Sequence, residues 1–211
     1  MNIPANTAPQ ADLFGDALAA QFRLRHRVFI EREGYQVPSW DGMEYDQFDT
    51  PATTYLIRRD PGGEARAVTR LIPTVKPYMI ETLWPNLLDG MIPPKSPLIW
   101  EATRFGCDHA LDAESRDKYM GELIAGCLEF GLYAGMQEFI CVMPAGILRR
   151  VLMRAGCDID FLGSPSAIGR FPVVAGRVNI TEASLERVRR NKGINGPILN
   201  MADTQQGRRA A

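Results

Sequence analysis

A strand, a long helix and a second strand follow one another between residues 98 and 143, and no other stretch restricts the fold as much. Residues 98–105 are rich in aromatic and β-branched side chains, as a strand requires. A helix is then expected over 115–135, with Ser115 as N-cap and Glu114 and Asp117 near its positive end. Met120, Leu123, Ile124, Cys127, Leu128, Gly131 and Leu132 form its apolar stripe. Gly121, Gly126 and Gly131 lower its intrinsic propensity, which points to close packing on a sheet. Residues 138–143 are a short, mostly apolar run, hence a buried strand. A strand–helix–strand crossover within one sheet is right-handed and leaves its two strands parallel. The fold class is therefore α/β.

The first of these strands carries two charges, Glu101 and Arg104, within Trp100-Glu101-Ala102-Thr103-Arg104-Phe105. Charges inside a strand are costly unless they pair or do chemistry. Locally, the two readings stand side by side: an ion pair that ties layers together, or a reactive site.

The rest of the chain fills in the layers. Residues 1–9 read as a loose tail. Over 11–32, Leu13, Leu18, Phe22 and Phe29 recur near helical spacing, as one helix or as two meeting near Gly15, with Arg23, Arg25, Arg27 and Arg32 on the polar side. A loop over 34–51 interleaves Asp41, Glu44, Asp46 and Asp49 with Tyr35, Trp40, Tyr45 and Phe48. Such a long loop is uncommon in a compact domain and is often functional. Acids among aromatics suit an organic cation with a flat ring, or else the acids pair with the arginines of the first helix. Two strands, 53–58 and 65–72, flank a Pro-Gly-Gly turn and read as an antiparallel hairpin. A proline-punctuated connection follows, with a short helix around 83–88. After the second parallel strand come a helix over 145–155, strands near 161–162 and 171–180, and a basic helix from the cap Thr181 to about Asn191. The architecture implied is a three-layer α/β sandwich, a mixed sheet with helices on both faces. Residues 1–192 read as one domain and 193–211 as a flexible C-terminal tail.

The totals exclude several function classes. A formal net charge of −1 argues against nucleic acid as a partner. No apolar stretch approaches the ~20 residues of a membrane helix, and no signal peptide is evident. Cys107, Cys127, Cys141 and Cys157 show no CxxC spacing and form no metal constellation with His26 and His109, so they read as buried, reduced thiols of a cytoplasmic protein. GxGxxG, GxxxxGK[ST] and GxSxG are absent, which weakens dinucleotide, P-loop and serine-hydrolase readings.

Taken in order, several short segments resemble the LuxI-type acyl-homoserine-lactone synthases, which make diffusible quorum-sensing signals. They are Leu24-Arg25-His26-Arg27-Val28-Phe29, Gly42 through Asp49, Arg70-Leu71-Ile72-Pro73-Thr74, Pro77-Tyr78-Met79, Trp100 through Phe105, Arg154-Ala155-Gly156 and Leu162-Gly163. The resemblance spans roughly residues 20–185. It implies a sheet splayed into a V, as in the GNAT N-acyltransferases. It implies transfer of an acyl group from acyl-CoA or acyl-carrier protein to the amine of S-adenosylmethionine. Lactonisation then releases 5′-methylthioadenosine. No cofactor is implied, since S-adenosylmethionine is a substrate. The oligomeric state is left open, with a monomer compatible.

The family's positions fall on Arg25, Phe29, Asp46, Asp49, Arg70, Glu101 and Arg104. By resemblance, Glu101 is the general base for the α-ammonium, directly or through water. Arg25, Phe29, Tyr35, Asp46, Asp49, Arg70, Trp84, Thr103, Arg104 and Phe105 bind S-adenosylmethionine or organise its site. Acids would answer the substrate's cations, arginines its carboxylate and aromatics its ring. Tyr35 stands where the family usually has Trp, Trp84 where it usually has Phe, and Thr103 where it has Ser or Thr. The acyl pocket is expected from Met120, Leu123, Cys127, Ile140, Val142, Met143, Leu148 and Leu152. Val142 lies near a position where some makers of 3-oxo products carry Thr, which favours an acyl group without a C3 oxygen. Arg149, Arg150 and Arg154 are candidates to dock an acidic carrier protein or CoA phosphates.

Strict alternation would put Glu101 and Arg104 on opposite faces of their strand. Either a bulge breaks the alternation, or the charges do different jobs. The reading adopted is the second, with Glu101 facing the amine and Arg104 bracing the loop at Asp46 and Asp49. Two other functions stay open. One is an N-acyltransferase for another small amine, for which Gly106-Cys107-Asp108-His109 is a poor pyrophosphate loop. The other is a non-catalytic binding module in which Glu101 and Arg104 are structural.

Overall fold

The computed structural model describes residues 5–7, 16–168 and 171–199, with side chains from residue 16 onward. The crossover expected from the sequence is its centre. Strand β6 (Ile99–Cys107) leads through helix α3 (Ala113–Tyr133) to strand β7 (Glu138–Pro144), and β6 and β7 are parallel. The cap of α3 is Asp112, whose carboxylate accepts from the Ser115 N–H at 2.8 Å. The expected cap, Ser115, is thus already inside the helix. Asp is as good a cap as Ser, and a helix begins at the earlier of two competing caps when nothing opposes it.

Before the crossover lie β1 (Ala5–Thr7), α1 (Ala17–Arg25), the small ribbon β2 (Ser39–Trp40) and β3 (Met43–Glu44), β4 (Thr54–Arg59), β5 (Ala65–Pro73) and α2 (Met79–Leu83). After it come α4 (Ala145–Ile147), β8 (Asp158–Phe161), β9 (Ser166–Ile168), β10 (Phe171–Asn179) and α5 (Glu182–Lys192). α1 continues as a π-helical turn, His26–Arg32, and α4 as another, Leu148–Met153. A 3₁₀ turn, Pro85–Leu88, follows α2. Leu13 and Gly15 lie outside the described residues.

The main sheet runs β1-β4-β5-β6-β7-β10-β8, with β9 also on β10. The β4–β5 hairpin and the β5–β6 and β7–β10 pairs are antiparallel. The parallel pair is short. Ile99, Trp100 and Glu101 pair with Glu138, Phe139 and Ile140, and there the ladder stops. Beyond Glu101 and Ile140 the two strands part, so the sheet opens as the expected V, with its fork at Glu101.

Helices cover both faces. α3, α4 and α5 bury one face in a core that includes Leu71, Ile124, Leu128, Phe139, Val174 and Val188. α1 covers Tyr55, Ile57 and Val68 on the other face, and α2 with its 3₁₀ turn covers Ile72, Ile140 and Val173.

Three expectations about irregular chain are corrected. Ala5–Thr7, read as part of a loose tail, add an edge strand to β4. The loop over 34–51 contains the β2–β3 ribbon, whose turn at Asp41 (φ 50°) and Gly42 (φ 68°) is left-handed at both positions, the geometry a two-residue hairpin needs. Of the expected tail over 193–211, the described stretch ends docked, and residues 200–211 lie outside the described residues. Ile198 and Leu199 are buried, and their N–H groups donate to the Glu129 carboxylate at 2.8–3.0 Å. Two apolar side chains in a polar segment suffice to dock it once a carboxylate on α3 takes the backbone donors.

Candidate active site

The site grows from an irregularity in β6. Opposite β5, Val68 pairs with Gly106 and Arg70 with Thr103, so β6 spends one extra residue between them. That residue is at Arg104, whose φ is 51°. This is the bulge that the sequence reading set aside in favour of separate roles. Trp100, Ala102, Phe105 and Cys107 pack toward α3. Glu101, Thr103, Arg104 and Gly106 are left on the face of α1 and α2. The extra residue returns Arg104 to the side of Glu101.

Gly106 lets the strand approach closely there. A Cβ would sit 3.0 Å from Val28 Cγ1 and 3.1 Å from Phe29 Cζ, against the π-helical turn that ends α1. Phe29 in turn stacks on Tyr35 with ring centroids 5.9 Å apart, and the Arg104 guanidinium lies 5.6 Å from the Phe29 centroid.

Around Arg104, three arginines and three acids form one closed cluster. Arg25 donates through Nε to Glu44 at 2.6 Å and grips both oxygens of Asp49 at 2.7 and 2.9 Å. Arg70 grips both oxygens of Asp46 at 2.6 and 3.1 Å and donates through Nε to Thr103 Oγ1 at 2.9 Å. Arg104 donates to Glu44 at 2.9 Å and to Asp46 at 2.8 Å. Tyr55 Oη adds a 2.7 Å bond to Asp49. Forked guanidinium–carboxylate pairs of this kind are stronger than neutral hydrogen bonds and fix geometry. Burial disfavours ionised Asp49, yet Arg25, Arg70 and Tyr55 together hold it well below the usual carboxylate range.

The formal charges of the cluster cancel. Its acids are engaged by its own arginines, so the cluster supplies shape and rigidity rather than free acids for a cation. The proposed bracing of the loop by Arg104 is present at Asp46, and its second contact is Glu44 instead of Asp49. Glu44 and Tyr55 were not picked from sequence as site residues. Glu44 was visible only as one acid among four, and Tyr55 only as a hairpin residue.

Glu101 stands apart from this cluster. It makes no hydrogen bond or ion pair with Arg104. Its side chain is in a residue only 1% exposed, and its two oxygens accept the N–H groups of Met79 at 2.8 Å and Ile80 at 2.7 Å. Those donors open α2, so a single carboxylate holds the helix against the fork. Burial pushes the Glu101 carboxyl up to about 7, against the pull of the two N–H groups and the charge of Arg70. Met79 completes the contact: Arg70 Nη2 lies 3.1 Å from its sulfur.

On the far side of the fork is a cavity of about 40 Å³. Ala102 and Cys141, the residues immediately after the last β6–β7 pair, both line it. Phe105 and Met143 extend its walls, Cys127 and Leu152 cover it, and Cys157 closes another side. Burial pushes Cys141 and Cys157 each up to about 12, so their thiols stay protonated.

Of the expected acyl-pocket residues, Cys127, Met143 and Leu152 line this cavity. Leu123 and Leu148 are buried in the adjoining core, and Met120 is half-buried on α3 without lining the cavity. Ile140 and Val142 are displaced from the expected pocket: strand alternation turns them to the opposite face, with Ile80 and Trp84. Phe105 is corrected in the other direction. It lines the cavity instead of the cluster, because the bulge at Arg104 shifts the phase of the strand by one. Trp84 is half-buried beside α2, and Tyr35 is 40% exposed.

The site thus combines a mixed sheet opened as a V, a buried carboxylate at the fork and an apolar cavity behind it. An N-acyl amino acid synthase from uncultured soil microbes, FeeM, shares this fold, with a TM-score of 0.57 at 15% identity. More specifically, residues 12–188 match the autoinducer synthase family model, and the chain belongs to that family. It is 33% identical to the acyl-homoserine-lactone synthase of Ralstonia solanacearum over 77% of this chain and 81% of that protein. It is 32% identical to the isovaleryl-homoserine lactone synthase of Bradyrhizobium diazoefficiens over 87% and 82%. The structure of the CoA-dependent acyl-homoserine lactone synthase BjaI, with SAM and isopentyl-CoA, aligns with a TM-score of 0.83 and 29% identity over 98% of both chains.

Proposed function

We propose that this chain is an acyl-homoserine-lactone synthase in which Glu101 is the base and the fork is the place of acyl transfer. The observation that carries the assignment of the site is the position of Glu101. It is the last paired residue of the fork, and Ala102 and Cys141, one residue beyond the last pair on each strand, both line the apolar cavity. A thioester carbonyl at the fork would have the buried carboxylate on one side and room for its acyl chain on the other.

S-adenosylmethionine lies on the face of Arg104, Phe29 and Tyr35 in this reading, with Trp84 at the α2 end. A carboxylate whose pKa is near working pH takes one proton from the α-ammonium, directly or through water. The freed amine attacks the thioester carbonyl, the C–S bond breaks, and the thiol carrier leaves. The methionine carboxylate then attacks its own γ-carbon. That closes the lactone and breaks the bond to sulfur, releasing 5′-methylthioadenosine. The edges of β6 after Glu101 and of β7 after Ile140 have no ladder partner in each other. They offer backbone donors for the carbonyl oxygen as it gains charge, and for the amides of a pantetheine arm.

The donor is acyl-CoA or acyl-carrier protein. The CoA dependence of BjaI favours the first. Arg149, Arg150 and Arg154 are exposed and form no ion pair among the described residues, which suits CoA phosphates or an acidic carrier. Among the described residues no helix is long and apolar enough to cross a membrane. Both substrates are cytoplasmic metabolites, and we place the protein there.

The test is a reaction of the purified chain with S-adenosylmethionine and a panel of acyl-CoA and acyl-carrier-protein donors. Release of methylthioadenosine, with the lactone identified by mass spectrometry, is the expected result. An N-acylated product without methylthioadenosine would instead favour a transferase acting on another amine.

A further inference from the structure

Resting on the synthase reading, we infer that the cavity behind the fork selects a short aliphatic acyl group of roughly four to six carbons, with no oxygen along the chain. Size is the first argument. The cavity measures about 40 Å³. On this measure one water needs roughly 10–15 Å³, so the space takes about three groups of that size. With the carbonyl and the first methylene at the fork, a chain of this length fills it. The walls beyond are large and packed: Phe105, Phe139, Met143 and Leu152 line the cavity, and Leu152 is buried.

Polarity is the second argument. The lining holds one hydroxyl, Thr69, and it is committed as a donor to the Thr103 carbonyl at 3.1 Å. The remaining heteroatoms in the lining side chains are sulfurs: Met143 and the thiols of Cys127, Cys141 and Cys157. Thiols are weak donors. A C3 keto or hydroxyl oxygen entering this space would give up water and gain no strong partner. The selectivity against C3 oxygen thus comes from the α3 side of the fork. Val142, to which the sequence reading assigned it, lies on the other face of β7.

The purified chain is to be assayed with butyryl, isovaleryl, hexanoyl, dodecanoyl and 3-oxohexanoyl groups, each supplied on CoA and on acyl-carrier protein, with methylthioadenosine as the readout. Binding of the same CoA thioesters is measured separately by calorimetry. For the best short donor, kcat/KM should exceed those for dodecanoyl and 3-oxohexanoyl by about tenfold or more. Leu152→Ala, or Met143→Ala as the milder truncation, should raise the dodecanoyl-to-hexanoyl ratio by at least about fivefold. A dodecanoyl or 3-oxohexanoyl donor as good as the best short one, or a ratio unmoved in both variants, would overturn the inference. Failure of every donor to yield methylthioadenosine would overturn the synthase reading instead. Calorimetry would then judge the cavity alone, and tighter binding of dodecanoyl-CoA than hexanoyl-CoA would overturn it.

Discussion

Arg104 and Glu101 lie on one face of the same strand although three residues separate them, because β6 carries an extra residue at Arg104, in a left-handed conformation. They do not pair. One locks the β2–β3 ribbon through Glu44 and Asp46, and the other holds α2 through its first two N–H groups. The β2–β3 ribbon and α2 are thus both fastened to one short stretch of strand.

The bulge gives a test with an internal control. Arg104→Ala and Arg104→Gly both remove the pairs with Glu44 and Asp46, and each should cost about 3–5 kcal/mol in urea unfolding. Glycine adopts a φ of 51° without the Cβ penalty, so the glycine variant should be about 1 kcal/mol more stable than the alanine variant. Equal stabilities would mean that residue 104 is not left-handed in solution.

Arg70→Lys keeps the charge and loses the fork. Arg70 uses two nitrogens on Asp46 and a third on Thr103, and an ammonium cannot reproduce that pattern. Methylthioadenosine release should fall by about 100-fold or more. Retention of wild-type turnover would show that the Asp46–Arg70 geometry does not shape the site.

Gln21 is a cost the fold carries. It is fully buried on α1, and neither its amide oxygen nor its nitrogen has a hydrogen-bond partner among the described residues. Gln21→Met should therefore raise stability by about 1 kcal/mol in urea unfolding, with turnover unchanged. A loss of stability would reveal a partner for the amide.

The pH dependence of stability should carry two opposed signatures. Asp49 is depressed in the folded state, so its contribution is present above its unfolded value of about 3.9 and is lost as pH falls. Glu101 is raised from 4.5 to about 7, so the folded state binds its proton more tightly. Its contribution favours folding at low pH and declines by roughly 3 kcal/mol as pH rises through that window. Urea unfolding across pH should show the decline between about 4.5 and about 7 in the wild type and lose it in Glu101→Gln. Asp49→Asn should shrink the acid limb, to which Asp60 and Asp108 also contribute, and leave the Glu101 decline in place. A Glu101→Gln curve parallel to the wild type would place the titration elsewhere.

The parallel crossover was legible in the sequence because helical and strand periodicities are separate and the glycines of α3 mark its packing. The β4–β5 hairpin was equally clear from its Pro-Gly-Gly turn. The arginines and acids of the cluster were named and their pairing was one of two readings of the loop, left open because a sequence shows which charges exist and not which neutralise each other. Phe105 and the pair Ile140 and Val142 were assigned to the wrong faces for related reasons. A one-residue bulge inverts the phase of a strand without any mark in composition. A pocket list that takes consecutive residues of β7 must also mix its two faces. The second role of Glu101 was invisible as well, because its partners are backbone N–H groups of Met79 and Ile80, which any sequence would supply.

The central claim is that Glu101 is the base. Its most direct test is the pH profile of kcat/KM for S-adenosylmethionine at saturating acyl donor. The account predicts a rise with a slope near one that levels off above an apparent pKa of about 7, and the loss of that limb together with nearly all turnover in Glu101→Gln. A profile flat through that range, or a Glu101→Gln variant that makes lactone at the wild-type rate, would contradict it.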